Sequence, residues 1–352
     1  MNISLILTKH CNLCCKYCFE SHESCAMSEE TALAAVNFVA KSSLRSCGIS
    51  FFGGEPLLQK NLIYKCVEHA ETLADKQFNY NMTTNGLLLD EEFLKFAAEK
   101  RIRIAMSHDG LMSCANRVYA DGRDCLAALD EKLELLLKHQ PKAFIMATVA
   151  ANTVNSAAKS VIYLYESGVR TLNLAVDMRP DAGWNEEALN VLSGEFDKIS
   201  EYLLDKFTEG KEISFNSFDE KIFNITRNKP KHLCQLGKRK VMIDTDGAIY
   251  PCIQFNGRAE YRMGNVYDGI DAAAQNKIYH QSIKKSECCN GCALESRCVN
   301  DCSCANFQQC GDMNAVSPVQ CAYQRIVIEK ADSLARKMLE ADEGRFIKRY
   351  MN

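Results

Sequence analysis

Six times within its first 180 residues the chain passes from a short β-rich run to an amphipathic stretch of helical period. The runs are residues 3–7, 49–52, 78–82, 102–106, 143–149 and 171–176, and the stretches between them are 28–41, 61–74, 90–99, 124–139 and 155–167. Such alternation demands parallel strands joined by right-handed crossovers, so the fold class is α/β, either a barrel or an open doubly wound sheet. Ser28 followed by Glu29 and Glu30 reads as an N-cap with an acidic first turn. A further helix is expected over 186–207, a polar bridge over 211–231, and a long charged helix over 323–350.

With 47% hydrophobic and 25% charged residues, the chain buries a real core and is not globally disordered. A net charge of −3 gives no basic surface for nucleic acid. The longest near-continuous apolar run, 143–151, falls far short of the roughly 18 residues a membrane span needs. The 19 cysteines fall into two groups: nine between Cys11 and Cys125, ten between Cys234 and Cys321, none over 126–233. The N-terminus reaches a cysteine cluster too early for a signal peptide, and the count is odd. Both argue against a secreted disulfide scaffold and for metal or redox chemistry in a reducing, cytoplasmic setting.

Unusual motifs follow successive strands. Cys11-Asn12-Leu13-Cys14-Cys15-Lys16-Tyr17-Cys18 follows the first, Gly53-Gly54-Glu55-Pro56 the second, Thr83-Thr84-Asn85-Gly86 the third and Ser107-His108-Asp109-Gly110 the fourth. Any one of these could be a simple turn. Four at the C-terminal ends of parallel strands converge on one pocket. Cys11, Cys15 and Cys18 offer three soft thiolates, one short of a structural zinc site and suited to a four-iron cluster with one open iron. Cys14 breaks the spacing and reads as a bystander.

The C-x3-C-x-aromatic-C loop, the GGEP stretch, the Asn-Gly turn and the Ser-x-Asp-Gly turn, in that order, resemble the radical S-adenosylmethionine (SAM) superfamily over roughly residues 1–180. The resemblance implies a partial (β/α)6 TIM-like barrel. Cys11, Cys15 and Cys18 would hold a catalytic [4Fe–4S] cluster whose fourth iron is chelated by SAM. Tyr17 would shield the cluster or stack on adenine. Glu55 with the Gly53–Gly54 backbone would hold the SAM ammonium, Asn85 would sit near the methionyl or ribose part, and Ser107 and Asp109 would contact the ribose and polar tail. Arg117 is a candidate partner for the SAM carboxylate.

Cys234, Gly247 and Cys252, then Cys289-x2-Cys292-x5-Cys298-x3-Cys302 and finally Cys321, resemble the SPASM extension of radical SAM enzymes that modify peptides and proteins. By that resemblance Cys289, Cys292, Cys298 and Cys321 would bind one auxiliary [4Fe–4S] cluster, and Cys234, Cys252 and Cys302 another, three clusters in all. Fully ligated relatives carry one more cysteine after the position of Cys252, and this chain has none between Cys252 and Cys288. The nearer auxiliary cluster would either keep an open iron for a substrate thiolate or recruit Cys288, Cys304 or Cys310. A zinc ribbon is the rival reading, but ten cysteines exceed two zinc sites.

The expected organisation is a radical SAM barrel over 1–185, a bridging helix and linker over 186–231, a loop-rich, cysteine-dense SPASM domain over 232–325, and a C-terminal helix over 326–352. The expected function is modification of a ribosomally made peptide after hydrogen abstraction by the 5′-deoxyadenosyl radical, forming a thioether or carbon–carbon crosslink. One alternative is an anaerobic sulfatase-maturating enzyme making formylglycine, and another is a non-catalytic iron–sulfur electron carrier. Expected partners are a precursor peptide or protein substrate and a reductant such as flavodoxin or ferredoxin, with no nucleic acid and no membrane. Because only ten residues precede Cys11, leader recognition would fall to a separate leader-peptide-binding protein or to the barrel and C-terminal surfaces, or be absent. Cys25, Cys47, Cys66, Cys114 and Cys125 read as packing residues, and His10, His22 and His108 as polar neighbours. Trp184 reads as a linker anchor or a substrate-loop residue, with Asp177 and Asp181 as candidate bases.

Overall fold

The computed structural model describes residues 1–226, 234–284, 286–298 and 302–351. Strands β1 (Asn2–Ile6), β2 (Ser46–Phe52), β3 (Gln77–Thr84), β4 (Arg103–Ser107), β5 (Phe144–Val149) and β6 (Thr171–Val176) lie side by side in sequence order, all parallel. Register is set by apolar residues at alternate positions, for example Ile3 opposite Ile49 and Met82 opposite Ile104. Connecting helices are α1 (Glu29–Ala40), α2 (Lys60–Glu71), α3 (Glu91–Glu99), the single turn α4 (Ser113–Asn116), α5 (Leu126–His139) and α6 (Ala157–Glu166). Ser28 caps α1 by accepting from the Thr31 amide, and Asp90 caps α3 by accepting from the Phe93 amide.

After β6 comes α7 (Glu186–Thr208), capped by Asn185. The polar segment expected to be a bridge then forms a seventh parallel strand, β7 (Ser214–Phe215), and helix α8 (Asn216–Thr226). Phe215, Phe218 and Ile222 are wholly buried there and supply the apolar contacts that fix both elements. Residues 227–231 of that bridge lie outside the described residues.

The C-terminal region does not stand apart from the sheet. Strand β8 (Lys240–Ile243) pairs in parallel with the free edge of β1, Ile3 opposite Val241 and Leu5 opposite Ile243. Antiparallel β9 (Ala248–Tyr250), β10 (Gly264–Asn265) and β11 (Gly269–Ile270) extend the same sheet to eleven strands. Helices α9 (Ala272–Ser282), α10 (Ser303–Cys310), α11 (Pro318–Ala341) and α12 (Glu343–Tyr350) follow. The expected single C-terminal helix is broken at Asp342, which caps α12. Helix α11 packs on α7 and α8. The Asp219 carboxylate of α8 accepts from Tyr350 Oη at 2.6 Å and pairs with Arg349 at 3.2 Å. One apolar core runs from the strands through α7 and α8 to Phe255 and Phe307, while Ile6, Met242, Ala248 and Tyr250 form a small separate cluster beside Phe52.

Candidate active site

Each motif lies at the C-terminal end of its strand. The glycine pair after β2 serves first to bring that turn against the chain's own cysteine loop. A Cβ on Gly53 would collide with the Thr8 carbonyl oxygen, and one on Gly54 with that of His10. Gly53 also holds a φ of 139°. With no side chains in the way, the Gly54 amide donates to Thr8 O at 2.8 Å and the Glu55 amide to His10 O at 2.9 Å. The loop entering Cys11 is thus hydrogen-bonded to the turn after β2.

Glu55 is 0% exposed. Its Oε1 accepts from Thr84 Oγ1 at 2.7 Å and the Leu57 amide at 2.9 Å, and its Oε2 accepts from the Asn85 amide at 2.8 Å. Burial pushes the Glu55 carboxyl up, and these three donors oppose the shift. Asn85, fixed in this way, donates through Nδ2 to Asn12 Oδ1 at 2.8 Å and faces Cys11 Sγ at 3.7 Å. Glu55 therefore acts on the cysteine loop through Asn85.

A second network holds the other side of the loop. Asp109, also 0% exposed, accepts from the Thr148 amide at 2.8 Å and from Tyr17 Oη at 2.6 Å. Its carboxylate pairs with buried Arg117, whose Nε lies 3.1 Å from Oδ2 and whose Nη2 lies 3.2 Å from Oδ1. Arg117 sits 5.4 Å over the Tyr17 ring and reaches Cys15 Sγ at 3.8 Å. Main-chain bonds from Cys14 to Val118 O (2.7 Å) and from Lys16 to Asn116 O (2.9 Å) fasten the loop to the segment carrying Arg117. The structure brings Cys11, Cys15, Tyr17, Glu55, Asn85, Asp109 and Arg117 into this linked arrangement, while Ser107 stands half-buried at the end of β4. Sequence reasoning did not anticipate Asn12, Thr84 and Thr148; Asn12 is adjacent to a cysteine, but nothing local in the sequence marks Thr148 as an Asp109 partner.

His108 turns away from the loop, bonding Asp130 Oδ1 at 3.1 Å. At the end of β6, Asp177 is held by Arg179 through bonds of 3.0 and 2.9 Å, and Arg179 also donates to Lys16 O at 3.0 Å. Trp184 Nε1 donates to Asp177 O at 2.6 Å. Trp184 thus anchors this loop, and Asp177 is neutralised by an arginine.

The donor set fits an iron–sulfur cluster. Burial, the largest cause, pushes the Cys11 thiol up to about 12 and the Cys15 thiol up to about 11, and it raises Cys18 as well. Arg117 opposes the rise at Cys15. Such thiols keep their protons until a soft cation replaces them. Among the described residues, no three His, Cys, Asp or Glu side chains are grouped as the ligands of a single ion would be.

The C-terminal cysteines surround a cavity of about 1050 Å³, whose wall includes eight of the ten, Cys252 and Cys310 being the others. Cys289 touches Cys288 and lies near Cys292 and Cys298, and Arg325 bonds Cys321 beside the same two. Cys234, Cys302 and Cys304 also line the cavity.

Residues 5–150 match the radical SAM superfamily. The chain carries a radical SAM domain. It is 25% identical over 346 residues to a cysteine-type anaerobic sulfatase-maturating enzyme of Clostridium perfringens, covering 89% of this chain and 90% of that one. The solved structure of anSMEcpe with bound AdoMet and the Cp18Cys peptide has the same fold, with a TM-score of 0.82, 22% identity, and coverage of 97% and 98%. Streptococcus suis SuiB bound to its precursor peptide SuiA matches at a TM-score of 0.60 and 17% identity, over 90% of this chain and 75% of SuiB. The match over residues 5–150 makes the chain an enzyme with a radical SAM domain, a kind of domain that takes SAM and an iron–sulfur cluster. No described helix is long and apolar enough to cross a membrane.

Proposed function

We propose that the enzyme carries out a two-electron oxidation of a side chain in a peptide or protein. The observation that supports this most is the presence of two cysteine sites: the strand-end loop of Cys11, Cys15 and Cys18, and the cavity walled by the C-terminal cysteines. With its cofactors bound, the first site would supply a 5′-deoxyadenosyl radical for removal of one hydrogen atom, and the second would supply an acceptor for the remaining electron. The chain's own residues would hold and orient. Glu55 fixes Asn85 against Cys11, and Asp109 fixes Arg117 against Cys15. The Gly53–Gly54 turn, Tyr17 and Ser107 would border SAM. In this reading the barrel lies within 1–185, the SPASM module within 232–325, and the holoenzyme carries three [4Fe–4S] clusters, about twelve iron per chain.

The product we favour is a thioether or carbon–carbon crosslink in a ribosomally made peptide, a class of substrate supported by the likeness to SuiB with its precursor peptide. Formylglycine formation is the second reading, favoured by the end-to-end likeness to the sulfatase-maturating enzymes. Co-expression with a peptide encoded beside the gene, followed by mass spectrometry, separates them. A crosslink loses two hydrogens and keeps its sulfur, whereas formylglycine formation from cysteine replaces sulfur with oxygen. SAM cleavage by the reduced enzyme without change in either kind of substrate would refute the proposal.

A further inference from the structure

Counting family-matched positions leaves the nearer auxiliary site one cysteine short, because no cysteine lies between Cys252 and Cys288. The fold supplies a candidate from elsewhere. The thiol of Cys304 lies beside those of Cys252 and Cys302, where α10 meets the turn that follows Cys252. Cys304 is buried and shares the cavity wall with Cys234 and Cys302. Its placement follows from how α10 is docked. Cys302 is the N-cap of α10, and Cys304 is the helix's second residue. Ser303 Oγ donates to Ser282 O at 2.9 Å, and Asn306 Nδ2 to Met313 O at 3.1 Å. Phe307 packs 5.0 Å from Phe255 and 5.1 Å from Tyr261. Phe255 ends the turn that begins at Cys252, so the contact that seats α10 also sets Cys304 against Cys252.

The other spare cysteines stand elsewhere. Cys288 is exposed, lies 3.1 Å from Ser286 Oγ, and touches Cys289 of the farther group. Cys310 is exposed near Asp312, at the opposite end of α10 from Cys302.

We propose that Cys304 is the fourth protein ligand of the nearer auxiliary cluster, with Cys234, Cys252 and Cys302. This rests on the reading that a [4Fe–4S] cluster forms there. Each thiol gives its proton to solvent as its sulfur bonds iron. Four protein thiolates leave no iron open, so the cluster serves electron transfer and does not bind a substrate thiol.

The test uses the full-length protein reconstituted anaerobically, with C304A, C304S, C288A, C310A and C252A beside it. The readouts are iron and sulfide content, Mössbauer spectra and electron paramagnetic resonance of the reduced clusters. C304A is expected to lose about four iron per chain or to leave a three-iron form at that site, whereas C288A and C310A keep the wild-type content. Added β-mercaptoethanol should shift the resonance of C304A or C304S where the cluster survives, and leave the wild type unchanged. Wild-type iron and spectra in both Cys304 variants would overturn the proposal, as would a thiol-induced shift in the wild type. If C252A also leaves iron unchanged, the cluster itself is absent, and the reading beneath the proposal fails. Should the Cys304 variants not fold, the wild-type thiol titration carries the test alone.

Discussion

Replacing Asp109 with Asn removes one charge from the centre of the site while keeping the shape of the side chain. The Asp109 carboxylate faces Tyr17 Oη at 2.6 Å, the Thr148 amide at 2.8 Å, and Arg117 at 3.1 and 3.2 Å, with no solvent contact. An asparagine keeps one acceptor oxygen but sets an NH2 against two groups that donate, either Tyr17 Oη and Arg117 Nε or the Thr148 amide and Arg117 Nη2, and it leaves the buried Arg117 cation without a counter-ion. Breaking a buried pair in this way costs about 3–5 kcal/mol, a large part of a typical total stability of about 5–15 kcal/mol. The loss should reach Cys15, because Arg117 is what links Asp109 to that thiol. Urea unfolding of anaerobically loaded protein would measure the cost, and iron analysis the occupancy of the first site. The cycle with Arg117→Met adds a second readout. Removing both charges should cost less than the two single changes together, by about 1–3 kcal/mol. A single-variant loss below about 1 kcal/mol, with iron intact, would show that this ion pair does not hold the cysteine loop.

Three further outcomes are expected. The triple change of Cys11, Cys15 and Cys18 to Ala should abolish 5′-deoxyadenosine formation, checked by liquid chromatography, and lower iron by about four per chain. Gly54→Ala should lower first-site iron and stability by about 1–3 kcal/mol, because its Cβ meets the His10 backbone, whereas Gly194→Ala in α7, where the added methyl meets nothing within 4 Å, should be neutral or stabilising in the same melts. Burial pushes the Glu20 carboxyl up to about 6, with Asp244 adding and Lys9 opposing. Its protonated form is therefore favoured in the fold, and stability present below its usual value of 4.5 is lost as pH rises through about 6. Glu20→Gln should flatten that part of the pH–melting curve.

The strands of the barrel were legible because each is a compact β-rich run. Thr171–Val176 matches to the residue, and Gln77–Thr84 exceeds its expected core by only a residue or two at each end. Elements β7 and α8 were hidden because Phe215, Phe218 and Ile222 are scattered through a polar stretch, and their common face shows only in the packing of Phe215 and Phe218 on Phe196 of α7 and of α8 on α11. The pairing of β8 with β1 has no local signal, since two parallel strands this far apart share no turn. In the site, motif order pointed to the right strand ends. Charge partners could not be read, and Asp109 proved to face Arg117 and Tyr17 within the protein itself. Cys304 was one of three cysteines that the sequence offered to the nearer auxiliary site; what separates it from Cys288 and Cys310 is its nearness to Cys252, which, like the β8 pairing, has no local signal.

The parallel seam between β1 and β8 also sets an order of events during synthesis. Strand β1 leaves the ribosome first, and its outer neighbour, Lys240–Ile243, emerges some 238 residues later. Until then Ile3 and Leu5 lie in a strand whose backbone donors and acceptors on that side have no mate, the kind of edge that invites pairing with another chain. Contacts so distant in sequence form slowly. The nascent protein is therefore exposed to aggregation through its own first strand, and a fragment ending at residue 226 would keep that exposure permanently. The barrel cannot be excised from its C-terminal half without leaving this edge bare.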